Sequence, residues 1–178
     1  KPCNVDVFFA LSHGVHRGVL KSGKTDDRII FLKKLMEKSP DVKFDLYGID
    51  KVQPIWADHY IKTVSNAKMG LNLSRGEAIK YYSSDRITQI VGNGLVCLID
   101  EKTKYQNFFS ENEMVFYKNT NDLSEKILKI SSDDKLRKKI KKNGKKKYMK
   151  YFNSDLVSKY IIDKTLDINS KDKYLWQR

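Results

Sequence analysis

Residues 80–100 read KYYSSDRITQIVGNGLVCLID, and this stretch decides the fold. Ser83, Ser84 and Asp85 are strong N-cap residues and predict the start of a short helix. The Gly-Asn-Gly that follows predicts the end of that helix, and the apolar run LVCLID then predicts a buried strand that ends in an acid. A helix that leads into a strand with two apolar faces is typical of a parallel sheet covered on both sides.

The same alternation extends along the chain. Further strands are predicted at VDVFFAL, VKFDLYG, KMGLNLS and EMVFYK, and further helices at DDRIIFLKKLMEK and DHYIKTVSNA, with a helical turn at KYQNFF. In the first helix we expect one broad apolar face, made of Ile29, Ile30, Leu32, Leu35 and Met36. Two or three more helices are expected from Asp122 onward.

The predicted fold class is therefore α/β, a Rossmann-like parallel sheet with helices on both faces, and we expect residues 1–178 to form one domain. Such sheets bind ligands at the carboxyl ends of their strands. The loops after Leu11, Gly48, Ser74 and Asp100 are therefore the places where function is expected.

Composition narrows the class of protein. The apolar fraction of 40% is that of a folded chain. Its longest apolar runs, at residues 7–11 and 95–99, are much shorter than the roughly 20 residues that cross a bilayer. There is no signal-peptide pattern and there are only two cysteines, so a cytoplasmic location is predicted, with Cys97 buried as a small apolar group. The chain opens at Lys1 without an initiating Met, and we expect it to be a segment of a longer protein.

The net charge of +13 is concentrated in DKLRKKIKKNGKKKYMKYF, residues 134–152. Leu136, Ile140, Tyr148 and Phe152 recur there at multiples of four, which predicts a helix with one apolar face and lysines on the others. The lysines fit a solvated face of a docked helix, or a surface that binds the inner face of an anionic membrane. Regularly spaced aromatic residues are missing, so nucleic acid is not an expected partner.

The loop after the first strand contains GVLKSGKT, Gly18 to Thr25, which matches the phosphate-loop pattern G-x-x-x-x-G-K-[ST]. In a true phosphate loop, strand and loop are nearly joined, whereas six residues separate Leu11 from Gly18 here. Thr25, Asp26 and Asp27 also predict a helix that starts only after the lysine. A P-loop nucleotide-binding protein stays open as an alternative.

The helix that begins near Ser84 also predicts an anion site, because backbone N–H groups point out of a helix N-terminus. Arg86 lies in that first turn and adds a positive charge. The simpler alternative is that the serines only cap the helix and Arg86 pairs with a nearby acid. Tyr81 and Tyr82 either line this site or pack beneath it.

The first loop offers more cations for the same anion, namely Arg17, Lys21 and Lys24. His13 and His16 have H-x-x-H spacing, but no nearby cysteine or carboxylate completes a metal set. We therefore predict no metal site and no cofactor.

The stretch NAKMGLNLSRGEAIKYYSSDRITQIVGNGLVCLID, followed by NDLSEKILKISSDDKLRKKIKKNGKKKYMKYF, resembles the C-terminal, donor-binding half of GT-B glycosyltransferases, in the branch that includes spore-maturation-type sugar transferases. Arg86, Gly94, Asp100 and Phe152 match positions of that family's pattern. One position departs from it, because the glutamate that usually contacts the ribose hydroxyls falls at Gln89.

The resemblance implies a glycosyltransferase donor domain that holds a nucleoside-diphosphate sugar. Together with the residues above, it implies the following binding residues: Arg17, Lys21, Lys24, Tyr82, Ser83, Ser84, Arg86 and Gln89. Fixed cations would stabilise the departing diphosphate without a metal. The acceptor-binding N-terminal domain is expected to lie outside this chain, so the isolated domain is expected to be inactive. A non-catalytic module that binds anions or a membrane surface is the remaining alternative.

Overall fold

A computed structural model describes residues 3–11, 23, 25–169 and 174–177. Five parallel strands form one sheet of order β2-β1-β3-β4-β5. The strands are β1 Val5–Ala10, β2 Phe44–Tyr47, β3 Ala67–Asn72, β4 Val96–Asp100 and β5 Val115–Tyr117. The predicted Rossmann-like α/β class is confirmed, and every predicted strand is present.

The helices of the described residues are α1 Asp27–Lys38, α2 Ala57–Val64, α3 Asp85–Gly92, α4 Thr120–Ser132, α5 Asp134–Tyr151 and α6 Ser154–Thr165. Two single 3₁₀ turns, Glu101–Thr103 and Tyr105–Asn107, follow β4. None of the helices in this part of the chain is long and apolar enough to cross a membrane.

Alternating strand residues point to two separate apolar layers, as expected for a sheet covered on both faces. Val7 and Phe9 belong to one layer with the buried faces of α1 and α4, whereas Phe8 belongs to the other with α3. Cys97 lies in the second layer and is buried, as predicted. Burial raises the pKa of its thiol to about 12, so it remains an apolar, protonated group.

The apolar face predicted for α1 is wrong at two positions. Ile30 and Met36 are 59% and 42% exposed, and the buried face of this helix includes Arg28 in addition to Ile29, Leu32 and Leu35. At 100° per residue, positions 28, 32 and 35 follow one stripe and position 30 lies outside it. An arginine therefore occupies a buried position at the start of α1.

The predicted four-residue spacing in α5 is confirmed for the buried Ile140 and Tyr148, and Leu136 and Phe152 are partly buried against the two layers. Gly144 completes the same stripe. A Cβ atom at Gly144 would lie 2.2 Å from the carbonyl oxygen of Glu113. Only glycine lets α5 approach the segment before β5 this closely.

Candidate functional site

The sheet order creates a crevice between β1 and β3. The chain leaves β1 toward β2 on one side and leaves β3 toward β4 on the other, and ligands of open parallel sheets bind at such a switch point. A cavity of about 550 Å³, here called the outer cavity, lies at the carboxyl ends of these strands. It is lined by residues from the end of β1, from the segment just before α2 and from the first two turns of three helices: Ala10, Leu11, Arg28, Ile55, Trp56, Ala57, Tyr60, Ile61, Asp85, Arg86 and Gln89.

A second cavity of about 430 Å³, here called the loop cavity, lies under the loop that follows β3. Its lining residues are Arg28, Ser74, Arg75, Glu77, Ile79, Tyr82, Ser84 and Arg86. The outer cavity and the loop cavity therefore meet at two arginines, Arg28 and Arg86. Leu11 lines the outer cavity and Ser74 lines the loop cavity, and these residues precede two of the loops predicted to carry function.

Arg86 has polar but no ionic partners within the described part of the chain. Its Nη1 lies 3.4 Å from the Asn72 side-chain oxygen, and its guanidinium carbon lies 5.4 Å from the centre of the Phe9 ring. Burial lowers the pKa of Arg86, and the positive charge of Arg28 lowers it further. An arginine still stays protonated at neutral pH, so the site holds a partly desolvated charge that no carboxylate of the described residues neutralises. The alternative that Arg86 pairs with a neighbouring acid finds no support among the described residues.

Arg28 is held rigidly at the same junction. Its Nη2 donates to Asp26 Oδ2 at 2.6 Å and its Nε donates to Asp26 Oδ1 at 3.0 Å, with Asp26 fully buried. Asp26 is also the N-cap of α1 and accepts from the Arg28 N–H at 3.0 Å. Sequence reasoning did not single out Arg28. The available signal was its place on the apolar stripe of α1, where a charged residue needs a local partner.

The N-terminus of α3 differs from its prediction in one respect. Ser84 is the N-cap residue, but its hydroxyl donates to the Asn72 side-chain oxygen at 2.8 Å and does not bond a backbone N–H of α3. The tertiary contact to β3 replaces the local cap. Within the described ranges, the first backbone donors of α3 therefore have no side-chain acceptor from their cap residue, beside Arg86.

Ser83 and Tyr82 have different surroundings. Tyr82 is half exposed and lines the loop cavity, and its part in ligand binding stays a prediction. Tyr81 packs beneath, with its ring 5.0 Å from that of Phe108 and its hydroxyl accepting from Asn107 at 2.6 Å. Ser83 lines neither cavity. It lies near Tyr148, whose pKa is raised chiefly by burial, while hydrogen bonds with Thr88 and then Ser83 act to lower it.

Gln89 is exposed and lines the outer cavity one turn after Asp85. It occupies the position at which the resemblance places the ribose-contacting residue. Its contact with a ribose stays a prediction.

Arg17, Lys21 and Lys24 lie outside the described residues, as do His13, His16 and most of the Gly18 to Thr25 stretch. Their part in the site stays a prediction. α1 begins at Asp27, after the lysine of the phosphate-loop pattern, as the cap residues predicted. In the described segments, no group of three or more His, Cys, Asp or Glu side chains is arranged to hold a metal ion.

Comparison with known proteins assigns the family. The sequence pattern of the family described as glycosyl transferase-like matches residues 28–163, so the chain belongs to this family. The matched segment begins at Arg28 and includes Arg86 and Gln89. No match was found among curated proteins.

Solved structures with the same fold include the following three proteins. HepE of Anabaena, in complex with UDP-glucose, is 10% identical with a TM-score of 0.66, and the match covers 93% of this chain and 50% of HepE. Sucrose-phosphate synthase of Thermosynechococcus elongatus is 14% identical with a TM-score of 0.63, covering 96% and 47%. A TarM variant of S. aureus, solved with UDP, is 15% identical with a TM-score of 0.60, covering 96% and 36%.

These matches confirm the predicted GT-B-type Rossmann-like fold and the predicted family. This chain spans half or less of the length of each of these proteins. The spore-maturation branch suggested by the resemblance stays a prediction.

Proposed function

We propose that this chain is the donor-binding half of a GT-B glycosyltransferase and that it binds a nucleoside-diphosphate sugar where the outer and loop cavities meet. One observation carries this proposal. Arg86 is a partly buried guanidinium that faces a cavity beside Arg28, with no carboxylate partner among the described residues. A bound diphosphate would supply the missing negative charge.

The diphosphate fits the chemistry of this junction. Guanidinium groups bind phosphate oxygens through two parallel N–H donors, and the uncapped N-terminus of α3 adds backbone donors and the positive end of its dipole. Asp26 positions Arg28 for the same role through two side-chain hydrogen bonds. The carboxylate of Asp85 also lines the outer cavity, and it favours a bound group with hydroxyls on that side.

The outer cavity suits the nucleoside. Trp56 is 63% exposed at its wall, although large aromatic side chains are usually buried, and Tyr60 lies one turn further along α2. Stacking of a base on an aromatic ring contributes about 1–3 kcal/mol. With the base against Trp56, the ribose hydroxyls lie between the base and the arginines, where the Gln89 amide can donate and accept.

The proposed reaction breaks the bond between the sugar carbon and the diphosphate oxygen, which takes the electron pair, while the acceptor forms a new bond to that carbon and gives its proton to a general base. Arg86 and Arg28 would stabilise the negative charge that develops on that oxygen. The acceptor and its general base are proposed to come from another domain of the full protein. We therefore expect this chain to bind the donor without transferring the sugar.

A nucleotide panel in a thermal-shift assay tests this proposal against the P-loop alternative. In the presence of EDTA, at least one of UDP, GDP and ADP should raise the melting temperature. A ligand at 100 times its Kd adds about 2.7 kcal/mol to the free energy of unfolding. Arg86→Ala should reduce that shift more than Lys24→Ala. If only ATP with magnesium stabilises the protein, and Lys24→Ala abolishes the effect, the glycosyltransferase proposal is wrong.

We also propose that α5 contacts an anionic membrane surface. Its exposed lysines lie within an arc of about 140° at 100° per residue, and we call them the lysine face: Lys135, Lys138, Lys139, Lys142, Lys145, Lys146 and Lys150. Asp134 is the one acidic residue of this helix and pairs with Arg137 at 2.6 Å. Met149, which is 53% exposed, lies within the same arc and adds an apolar side chain to the contact.

Vesicle sedimentation tests the lysine face. Binding to phosphatidylglycerol-containing vesicles should exceed binding to phosphatidylcholine vesicles and should weaken with salt. Changing Lys139, Lys142 and Lys146 together to Gln removes about 3 kcal/mol at about 1 kcal/mol per charge, on the order of a hundred-fold in affinity. As a control, three exposed lysines of α1 are changed to Gln, which removes the same amount of charge from a different surface. Equal binding to both vesicle types would overturn this part of the proposal.

A further inference from the structure

Tyr117 carries an unused buried hydroxyl. It is the last residue of β5, it is 1% exposed, and its hydroxyl oxygen has no hydrogen-bond partner in the part of the chain that the structure describes. Its ring is held by packing, with the Phe31 ring 6.0 Å away. A buried hydroxyl without a partner destabilises the folded state, so such a group suggests a ligand that satisfies it.

Tyr117 lines a small pocket of about 40 Å³, here called the inner pocket. Asn72, Asp100 and Thr103 contribute its polar lining at the carboxyl ends of β3 and β4. Asp100 faces Tyr117 directly in the register of the sheet. One Asp100 oxygen, Oδ1, accepts from the Lys102 N–H at 2.8 Å, and the second oxygen has no hydrogen bond within the described ranges.

The inner pocket continues from the loop cavity. Ser74, Ile79 and Tyr82 line both of them, and the loop cavity ends at Arg86. A ligand whose diphosphate lies at Arg86 can therefore place its next group over Tyr82 and extend a substituent toward Tyr117. The volume holds about three water-sized groups, which is enough for a hydroxyl or hydroxymethyl substituent and too small for a whole sugar ring.

We infer that the inner pocket binds a hydroxyl-bearing substituent of the donor sugar, with Tyr117 and Asp100 as its hydrogen-bond partners and as specificity-determining residues. This inference rests on the proposed function, because the diphosphate must first bind at Arg86. The Tyr117 hydroxyl both donates and accepts, while the Asp100 carboxylate accepts only. A sugar hydroxyl can donate to Asp100 and accept from Tyr117 at the same time.

The electrostatics of the pair support this assignment. Burial raises the pKa of Tyr117, and the negative charge of Asp100 raises it further, so the phenol keeps its proton at every physiological pH. A protein site built to bond a hydroxyl rejects an analogue without it, because its own polar groups are then left unpaired. The inner pocket should therefore discriminate between a sugar and its deoxy analogue.

The test compares nucleoside diphosphates with their sugar conjugates in Tyr117→Phe. The probes are UDP with UDP-glucose, GDP with GDP-mannose and ADP with ADP-glucose, measured by calorimetry on the full chain. In the wild type, the conjugate of the preferred base should bind more tightly than the diphosphate. Tyr117→Phe should leave diphosphate affinity within about two-fold and weaken the conjugate by about five-fold, the value of one hydrogen bond between two neutral groups.

Tyr105→Phe is the matched control, because Tyr105 is also a buried tyrosine but lines none of the three cavities. It should not change the ratio of the two affinities. Deoxy analogues of the preferred conjugate provide a second measurement on the wild type, where removal of one particular hydroxyl should cost about ten-fold. That measurement decides the question even if Tyr117→Phe fails to fold.

The outcomes separate the two proposals. If no nucleoside diphosphate binds the wild-type chain, the proposed function fails. If a diphosphate binds but its conjugates bind no more tightly, or bind Tyr117→Phe as well as wild type, the inference about the inner pocket is overturned while the proposed function stands. If no single deoxy analogue binds the wild-type protein more weakly than its parent conjugate, the inference about the inner pocket is overturned as well.

Discussion

Replacing Arg86 by alanine should weaken nucleoside-diphosphate binding with little effect on folding. Among the described residues, this guanidinium makes one long hydrogen bond, 3.4 Å to Asn72, which leaves most of its donors without a partner there. A charge-assisted hydrogen bond contributes about 1.5–3 kcal/mol, which corresponds to a loss of roughly ten- to a hundred-fold in affinity. A second bond from the same planar group would increase the loss.

The effect of Arg86→Ala on stability follows from the same contacts. The variant loses packing against Phe9 but also removes a desolvated charge beside Arg28. These contributions have opposite signs, and we expect the melting temperature of the free protein to change by only a few degrees. Lys142→Ala makes the same change in charge on the lysine face and should leave nucleotide affinity unchanged.

Calorimetry with the preferred nucleoside diphosphate measures the loss of affinity in Arg86→Ala directly. Arg86→Lys separates the effect of the charge from that of the planar donor pair. Lysine keeps the charge but not the planar pair of donors, so its affinity should lie between those of the wild type and Arg86→Ala. A folded Arg86→Ala protein that binds the diphosphate as tightly as the wild type would refute the placement of the diphosphate at this junction.

Two further predictions concern stability. Gly144→Ala should lower the free energy of unfolding, measured in urea, by about 1–3 kcal/mol because the added Cβ meets the Glu113 carbonyl oxygen. Gly92→Ala is the control: nothing lies within 4 Å of its added Cβ, so it should be neutral or stabilising. Equal effects of the two changes would contradict the close approach at Gly144. Asp6→Asn should destabilise the protein by about 1.5–3 kcal/mol at neutral pH, since Lys68 lies 2.7 Å from the carboxylate. Burial raises the pKa of Asp6, but hydrogen bonds from Lys68 and the Lys43 N–H outweigh burial and lower the pKa below 3.8. The stabilisation by Asp6 is therefore present above that pH and disappears as the pH falls through the lowered pKa. A difference between wild type and Asp6→Asn that stays constant into acid would disprove it.

The local features of the fold could be predicted from the sequence because they depend on neighbouring residues. Apolar periodicity located the strands and most helices, and cap residues placed the starts of α1 and α3 within one or two positions. Gly94 has a φ of +77° and ends α3, as the Gly-Asn-Gly suggested. Arg86 could be found in the same way, since a cation in the first turn of a helix after a parallel strand is a local signal.

The candidate site as a whole required the tertiary structure. Periodicity tells which face of an element is apolar but not which strands are neighbours. Arg28 and Arg86 are 58 positions apart and meet only because β1 lies between β2 and β3. The Ser84 hydroxyl donates to the Asn72 side chain instead of capping its own helix, because the fold places the end of β3 beside the start of α3. The sequence does not show this proximity.

The sequence by itself therefore determined the α/β class, the order of elements along the chain, and one of the two arginines. The tertiary structure alone decided the order of the strands, the placement of Arg28 and Arg86 at the same cavity, and the position of Tyr117 beside Asp100 in the sheet. The physical reason is the range of the interactions. Caps, turns and helical stripes form among residues a few positions apart, whereas a binding site at the end of a parallel sheet gathers side chains whose proximity depends on how every strand packs.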